Sequence, residues 1–162
     1  MPKINLFVNH ILYENFKDEN LDQQIKKELI KAKNNNLSQI YSNEGGFQTK
    51  PIKNDFICKN LLQKTCELFT KELNVKQTKI LLQSLWINEN NKGDFNIPHN
   101  HPMSNYSFVY YVDVTKTKGE LIFCRSDLSF NMTGNQDFIN QDDTYFFKPK
   151  AGRAVTYETG IG

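Results

Sequence analysis

The apolar pattern of this chain changes period partway along, and that change limits the possible folds more than any other feature. Leu21, Ile25, Leu29 and Ala32 recur at helical spacing, and so do Ile57, Leu61, Leu62, Leu68, Phe69 and Leu73. Asp18 or Asn20 can cap the first run, Asn34-Asn-Asn36 can stop it, and Asp55 opens the second. After Asn74 strand-type segments take over at 79–88, 106–114, 120–124, 144–147 and 153–157. Turn signals separate them: Lys92-Gly-Asp, Lys118-Gly, Thr133-Gly-Asn and Ala151-Gly. Ile4, Leu6 and Val8 alternate as an opening strand. Helices first and antiparallel-type strands afterwards predict an α+β fold. The expected architecture is a cupin-like jelly roll, with the N-terminal helices packed on one sheet.

At 162 residues the chain has room for a single domain, and no linker or internal repeat divides it. Its net charge of +2 comes from Lys and Arg scattered among Asp and Glu, so no basic stripe suits a phosphate backbone and no nucleic-acid partner is expected. Cys58, Cys66 and Cys124 are odd in number and lack metal-ligand spacing, which reads as free thiols in a reducing compartment. The start has no basic region followed by a long apolar run, and no later stretch suits a membrane span. A cytoplasmic protein with no membrane partner is expected. A mean hydropathy of -0.60 is low, but the apolar periodicity survives the many Asn and Lys residues, which a disordered chain would not show.

The residues that carry chemistry gather in one place. His99 and His101 form a His-x-His pair behind a Gly93-Asp94 turn. In an extended strand, residues i and i+2 face the same way roughly 6.5–7 Å apart, so both imidazoles can meet one ion while Asn100 points away. Pro98 and Pro102 flank the pair and suit a turn or an edge strand, in which two polar loop residues would serve equally well. His10 lies far off in sequence and is unrelated. Ser42 to Gln48, with paired glycines at its centre, reads as a connector.

The order of these motifs resembles a known family. Ser42-Asn-x-Gly-Gly-Phe-Gln, Trp86-x-Asn88 with Gly93-Asp94, His99-x-His101-Pro, Ser107 to Tyr111, Gly119-x-Leu-x-Phe and Pro149-x-x-Gly-Arg are similar to the 2-oxoglutarate and Fe(II)-dependent oxygenases of tailed phages and marine bacteria. More distantly they resemble the prolyl 4-hydroxylase group, which implies a double-stranded β-helix core. The resemblance implies Fe(II) and 2-oxoglutarate as cofactor and cosubstrate, with His99 as the first iron ligand. His101 falls where the wider superfamily carries a carboxylate, a departure from the two-His-one-carboxylate triad. Asp94 is an alternative acid. The resemblance also implies contacts to 2-oxoglutarate from Tyr111 at its distal carboxylate and from Asn88 at its other end. Ser107, Val109 and Tyr111 share one strand face, which would be the inner wall of the barrel. Phe108 stands where the family usually has glycine after that serine.

In the family, a distal histidine and then an arginine follow the Gly-Arg strand. Counting from Gly152 puts that histidine just past Gly162, so the chain is expected to be a piece of a longer reading frame, with its last strand or strands and its third ligand missing and its activity impaired. The chemistry implied is decarboxylation of 2-oxoglutarate to succinate coupled to hydroxylation of a C–H bond in a small-molecule or protein substrate. A non-catalytic cupin-like binding or structural protein is the rival expectation. A zinc hydrolase is weaker, because Pro-Met-Ser follows the pair and no Glu takes a general-base spacing.

Overall fold

The structure is a computed structural model that describes residues 10–39, 41–73, 80–115, 119–124 and 144–159. The opening strand expected at 4–8 lies outside the described residues. The first described strand is instead β1, Ile11–Asn15. It is followed by α1 (Glu19–Asn34), β2 (Asn43–Glu44), β3 (Phe47–Gln48), α2 (Asp55–Leu73), β4 (Asn88–Glu89) and β5 (Phe95–Asn96). The chain then runs through β6 (Tyr106–Tyr111), β7 (Leu121–Cys124), β8 (Thr144–Phe147) and β9 (Arg153–Glu158).

Both helices begin where the sequence supplies a cap. The Asp18 carboxylate accepts the Leu21 N–H at 3.0 Å, and acidic Glu19 and Asp22 complement the positive end of the dipole while Lys31 and Lys33 complement the other end. Asn54 starts α2, its side-chain oxygen accepting from the Phe56 and Ile57 N–H groups. The buried stripe of α2 is Ile57, Leu61, Thr65, Leu68 and Phe69, with Leu62 and Leu73 only half-buried. Thr65 enters the stripe because its hydroxyl donates to the Leu61 carbonyl at 2.8 Å and is not left unpaired.

β9 is the centre of a three-stranded antiparallel sheet, β1-β9-β6. Its register aligns Ile11, Tyr157 and Ser107, then Tyr13, Val155 and Val109, then Asn15, Arg153 and Tyr111. The pleat sends these nine side chains to one face and Phe108, Tyr110 and Thr156 to the other. The second face packs on the helices, where Leu21, Ile25, Ile57 and Leu61 form a core against Phe108 and Tyr110. The first packs on the β7·β8 ladder, where Phe123 and Phe147 meet Val155 and Tyr157. Three layers result: helices, sheet and ladder. Each large aliphatic side chain so enclosed contributes roughly 1.5–3 kcal/mol. The architecture is mixed α/β with antiparallel sheets, and the helices do pack on one sheet.

Three local expectations need correction. Residues 80–87 form no ladder, and only Asn88–Glu89 is a strand. Their backbone groups pair with residues 49–52 of a loop: Ile87 O accepts from Thr49 N, Leu85 O accepts from Ile52 N, and Ile87 N donates to the Thr49 hydroxyl. Pro51 has no N–H, so that loop cannot become a continuous partner strand. The strand at 106–114 stops at Tyr111, where its carbonyl accepts from Gly152 as the chain turns away. The connector at 42–48 holds two short strands, β2 paired with β5 and β3 paired with β4. Cys58, Cys66 and Cys124 are free thiols. Among the described residues no helix is long and apolar enough to cross a membrane.

Candidate metal centre

His99 and His101 lie between β5 and β6, and residues 97–105 enter no ladder. The extended strand expected to align them is absent. Pro98 and Pro102 cannot donate to one, and the chain instead turns at Met103, φ 68°, with Ser104 N–H donating to His101 O at 3.2 Å. The segment is held at both ends. Ile97 N–H donates to Ser42 O at 2.7 Å, and Thr159 N–H donates to Asn105 O at 3.2 Å. Gln83 bridges the middle, donating to Met103 O and accepting from the Ser104 hydroxyl.

Without a strand, the two imidazoles still come together, with ring centroids 4.8 Å apart at an interplanar angle of 79°. His99 Nδ1 lies 2.7 Å from the Ile97 carbonyl oxygen. A carbonyl only accepts, so Nδ1 carries the proton and the Nε2 lone pair of His99 is free for a ligand bond. His101 is half-buried with Trp86 beside it, ring centroids 5.7 Å apart. Burial first, and His99 second, lower the pKa of His101 and keep it neutral to lower pH. Two imidazoles side by side suit a first-row transition metal such as iron.

Among the described residues no group of three His, Cys, Asp or Glu side chains stands ready to share an ion. Asp94 is engaged by its own turn: Oδ2 accepts the Asn91 N–H at 2.7 Å, and Oδ1 lies directly over Gly45. The donor set therefore fits iron as two ligands of a larger set.

Ser107 and Tyr111 share the face of β6 that looks toward the β7·β8 ladder. Ser107 lies opposite Tyr157 in register. Burial pushes the Tyr111 phenol up to about 12, with Tyr157 adding to the rise and nearby Arg153 opposing it. Arg153 itself lies over the Tyr13 and Phe147 rings and donates to Asn15 Oδ1 and Lys148 O. Asn88 sits elsewhere, exposed on β4 and paired with Gln48 of β3. Two features at the histidines escape sequence reading: the Ile97 carbonyl that sets the His99 tautomer, and the Ser42 carbonyl, just before β2, that holds the Ile97 N–H. The paired glycines of that loop, which let another chain approach closely, were the available signal.

A mixed α/β fold that brings two imidazoles together at one loop defines a candidate metal-binding protein. Residues 84–161, a little under half of the chain, match the model of a family described as "Putative 2OG-Fe(II) oxygenase". The matched span holds both histidines, Asn88, Ser107 and Tyr111, and supports an oxygenase of the 2-oxoglutarate and Fe(II) class. No curated protein matches the chain.

Proposed function

We propose that this protein is an Fe(II)- and 2-oxoglutarate-dependent dioxygenase that hydroxylates a C–H bond, built on a double-stranded β-helix of which the β1-β9-β6 sheet and the β7·β8 ladder are facing walls. The observation that carries the reading is the His99 Nδ1–H bond to the Ile97 carbonyl, which turns Nε2 of His99 to the side of a second imidazole. His99 and His101 would hold the iron, whose chemistry when bound is to couple decarboxylation of the keto acid to oxidation of a substrate.

The remaining work falls to the chain. Tyr111, with its phenol pushed up to about 12, keeps its proton at any physiological pH and can donate to a carboxylate of 2-oxoglutarate. Ser107 offers a second hydroxyl on the same face, while Asn88, exposed on β4, takes no part in it. Val109 and Val155, adjacent in register, keep that face dry.

The test is oxygen-dependent formation of succinate from 2-oxoglutarate in the presence of Fe(II). Turnover by the protein and its loss in His99→Ala support the reading, and equal turnover in the variant removes His99 from it. The rival, a non-catalytic binding protein of the same fold, is favoured by the absence of a third ligand among the described residues. It predicts no Fe(II)-dependent succinate at all.

A further inference from the structure

We infer that Asn43 is a positioning residue for the metal centre, acting through Ile97 on the tautomer of His99. The inference rests on the proposed metal role of His99 for its purpose, but its geometry stands in the protein without any metal.

Asn43 is 4 % exposed and is the only described residue with a buried side-chain atom lacking a hydrogen-bond partner, its Oδ1. Its amide nitrogen is fully used. Nδ2 donates to Asn90 Oδ1 at 2.6 Å and to Asn96 Oδ1 at 3.0 Å. Asn90 and Asn96 lie on the two arms of the hairpin around the Gly93-Asp94 turn, so one NH2 group ties both arms together. Two hydrogens for two arms dictate the amide orientation, and the orphaned Oδ1 is its consequence. With Asn90 and Asn96 turned as they are, the reversed amide would set oxygen against two oxygens.

The clamp needs Gly46. A Cβ there would lie 2.3 Å from Asn90 Oδ1, 2.6 Å from Asn43 Oδ1 and 2.7 Å from Glu89 O, so only glycine admits the carboxamides this close. From the clamp the connection to the histidine is short. Asn43 pairs with Asn96 in register, Ser42 O accepts from Ile97 N at 2.7 Å, and Ile97 O accepts from His99 Nδ1 at 2.7 Å. Ile97 thus has its N–H fixed by the loop and its carbonyl aimed at the ring. Outer groups that orient a ligating imidazole in this way fix its tautomer. The loop read as a connector becomes the part that holds His99 with Nε2 free.

The experiment records the ring-nitrogen NMR signals of His99 in the metal-free protein for the parent, Asn43→Asp, Asn96→Ala and Lys33→Ala, and then titrates each with Co(II) alone. Asn43→Asp is isosteric but has no NH2 to give. Asn96→Ala, at an exposed site, frees one arm and keeps the question answerable should the first variant fail to fold. Lys33→Ala removes the ion pair to Glu89 on the same hairpin and controls for general loosening. The parent and Lys33→Ala should show a single Nδ1–H tautomer at His99, while the other two show mixed tautomers and a Co(II) affinity lower by about 10- to 100-fold. An unchanged tautomer in Asn43→Asp and Asn96→Ala, or an equal change in Lys33→Ala, overturns the inference. Absence of Co(II) binding in the parent would count against the proposed function, while the tautomer comparison would still decide this one.

Discussion

Tyr110 donates its hydroxyl proton to Asp22 Oδ1 at 2.7 Å, across the boundary between the sheet and the helices. Asp22 is buried in the first turn of α1, and Phe16 stacks on the Tyr110 ring, centroids 5.0 Å apart. Removing the donor leaves a buried acceptor short of a partner. Tyr110→Phe should therefore cost about 1–3 kcal/mol. Urea unfolding checks it, with a lower midpoint at unchanged slope, and Asp22→Asn, which keeps an acceptor, should lose less.

Three tyrosines give the protein a defined alkaline limit. Burial pushes Tyr111 up to about 12 and raises Tyr157, and Tyr110 is raised by burial and by the bond to Asp22. A raised folded-state value means that the neutral phenol favours folding. That stability is fully present below the unfolded value of about 10 and is lost as pH rises through the folded values. Circular dichroism and tyrosinate absorbance should therefore change together above about pH 10. Ionisation of these three groups with the fold intact would contradict this, and Tyr111→Phe should move the midpoint upward.

Gly152 sits at φ 78° where β9 begins, with its N–H on Tyr111 O and its carbonyl on Phe16 N–H. A Cβ there would meet Phe16 O at 3.0 Å and Lys17 Cα at 3.1 Å, both backbone atoms that cannot swing aside. Gly93 also has positive φ, 100°, but nothing lies within 4 Å of its Cβ position. Gly93→Ala should cost about 1–2 kcal/mol from the backbone alone. Gly152→Ala should lower the melting temperature further, and the reverse order would contradict the packing at the β9 entry.

Ile57 is 0 % exposed and lies in the core between α1 and α2 with Leu21, Ile25 and Leu61. Ile57→Ala removes buried methylenes and leaves a cavity, at about 2–5 kcal/mol. Chemical denaturation measures the loss.

The parts of this fold legible in the sequence are those set by local pattern. Asp18 caps α1 because a short carboxylate before an apolar run at helical spacing has one good use. The five positions of β9, Arg153 to Tyr157, were read from alternation and turn residues, and they form its central strand. Ile11 to Asn15 escaped notice because an edge strand needs no clean alternation once its partner β9 supplies the hydrogen bonds. Leu85 and Ile87 look like strand residues and are packed as such, yet their backbone bonds go to a loop. At the metal centre, spacing brings His99 and His101 to notice. The clamp at Asn43 does not show in the sequence, because Asn90 and Asn96 lie 47 and 53 residues away and only the folded chain brings them together.

The most direct measurement is calorimetric titration of the protein with Fe(II) under anaerobic conditions, before and after adding 2-oxoglutarate, beside His99→Ala and His101→Ala. The account predicts that the protein binds one ion, that adding 2-oxoglutarate to the loaded protein releases a second heat of binding, and that both variants lose the two signals. No binding by the protein, or equal binding by both variants, would contradict it.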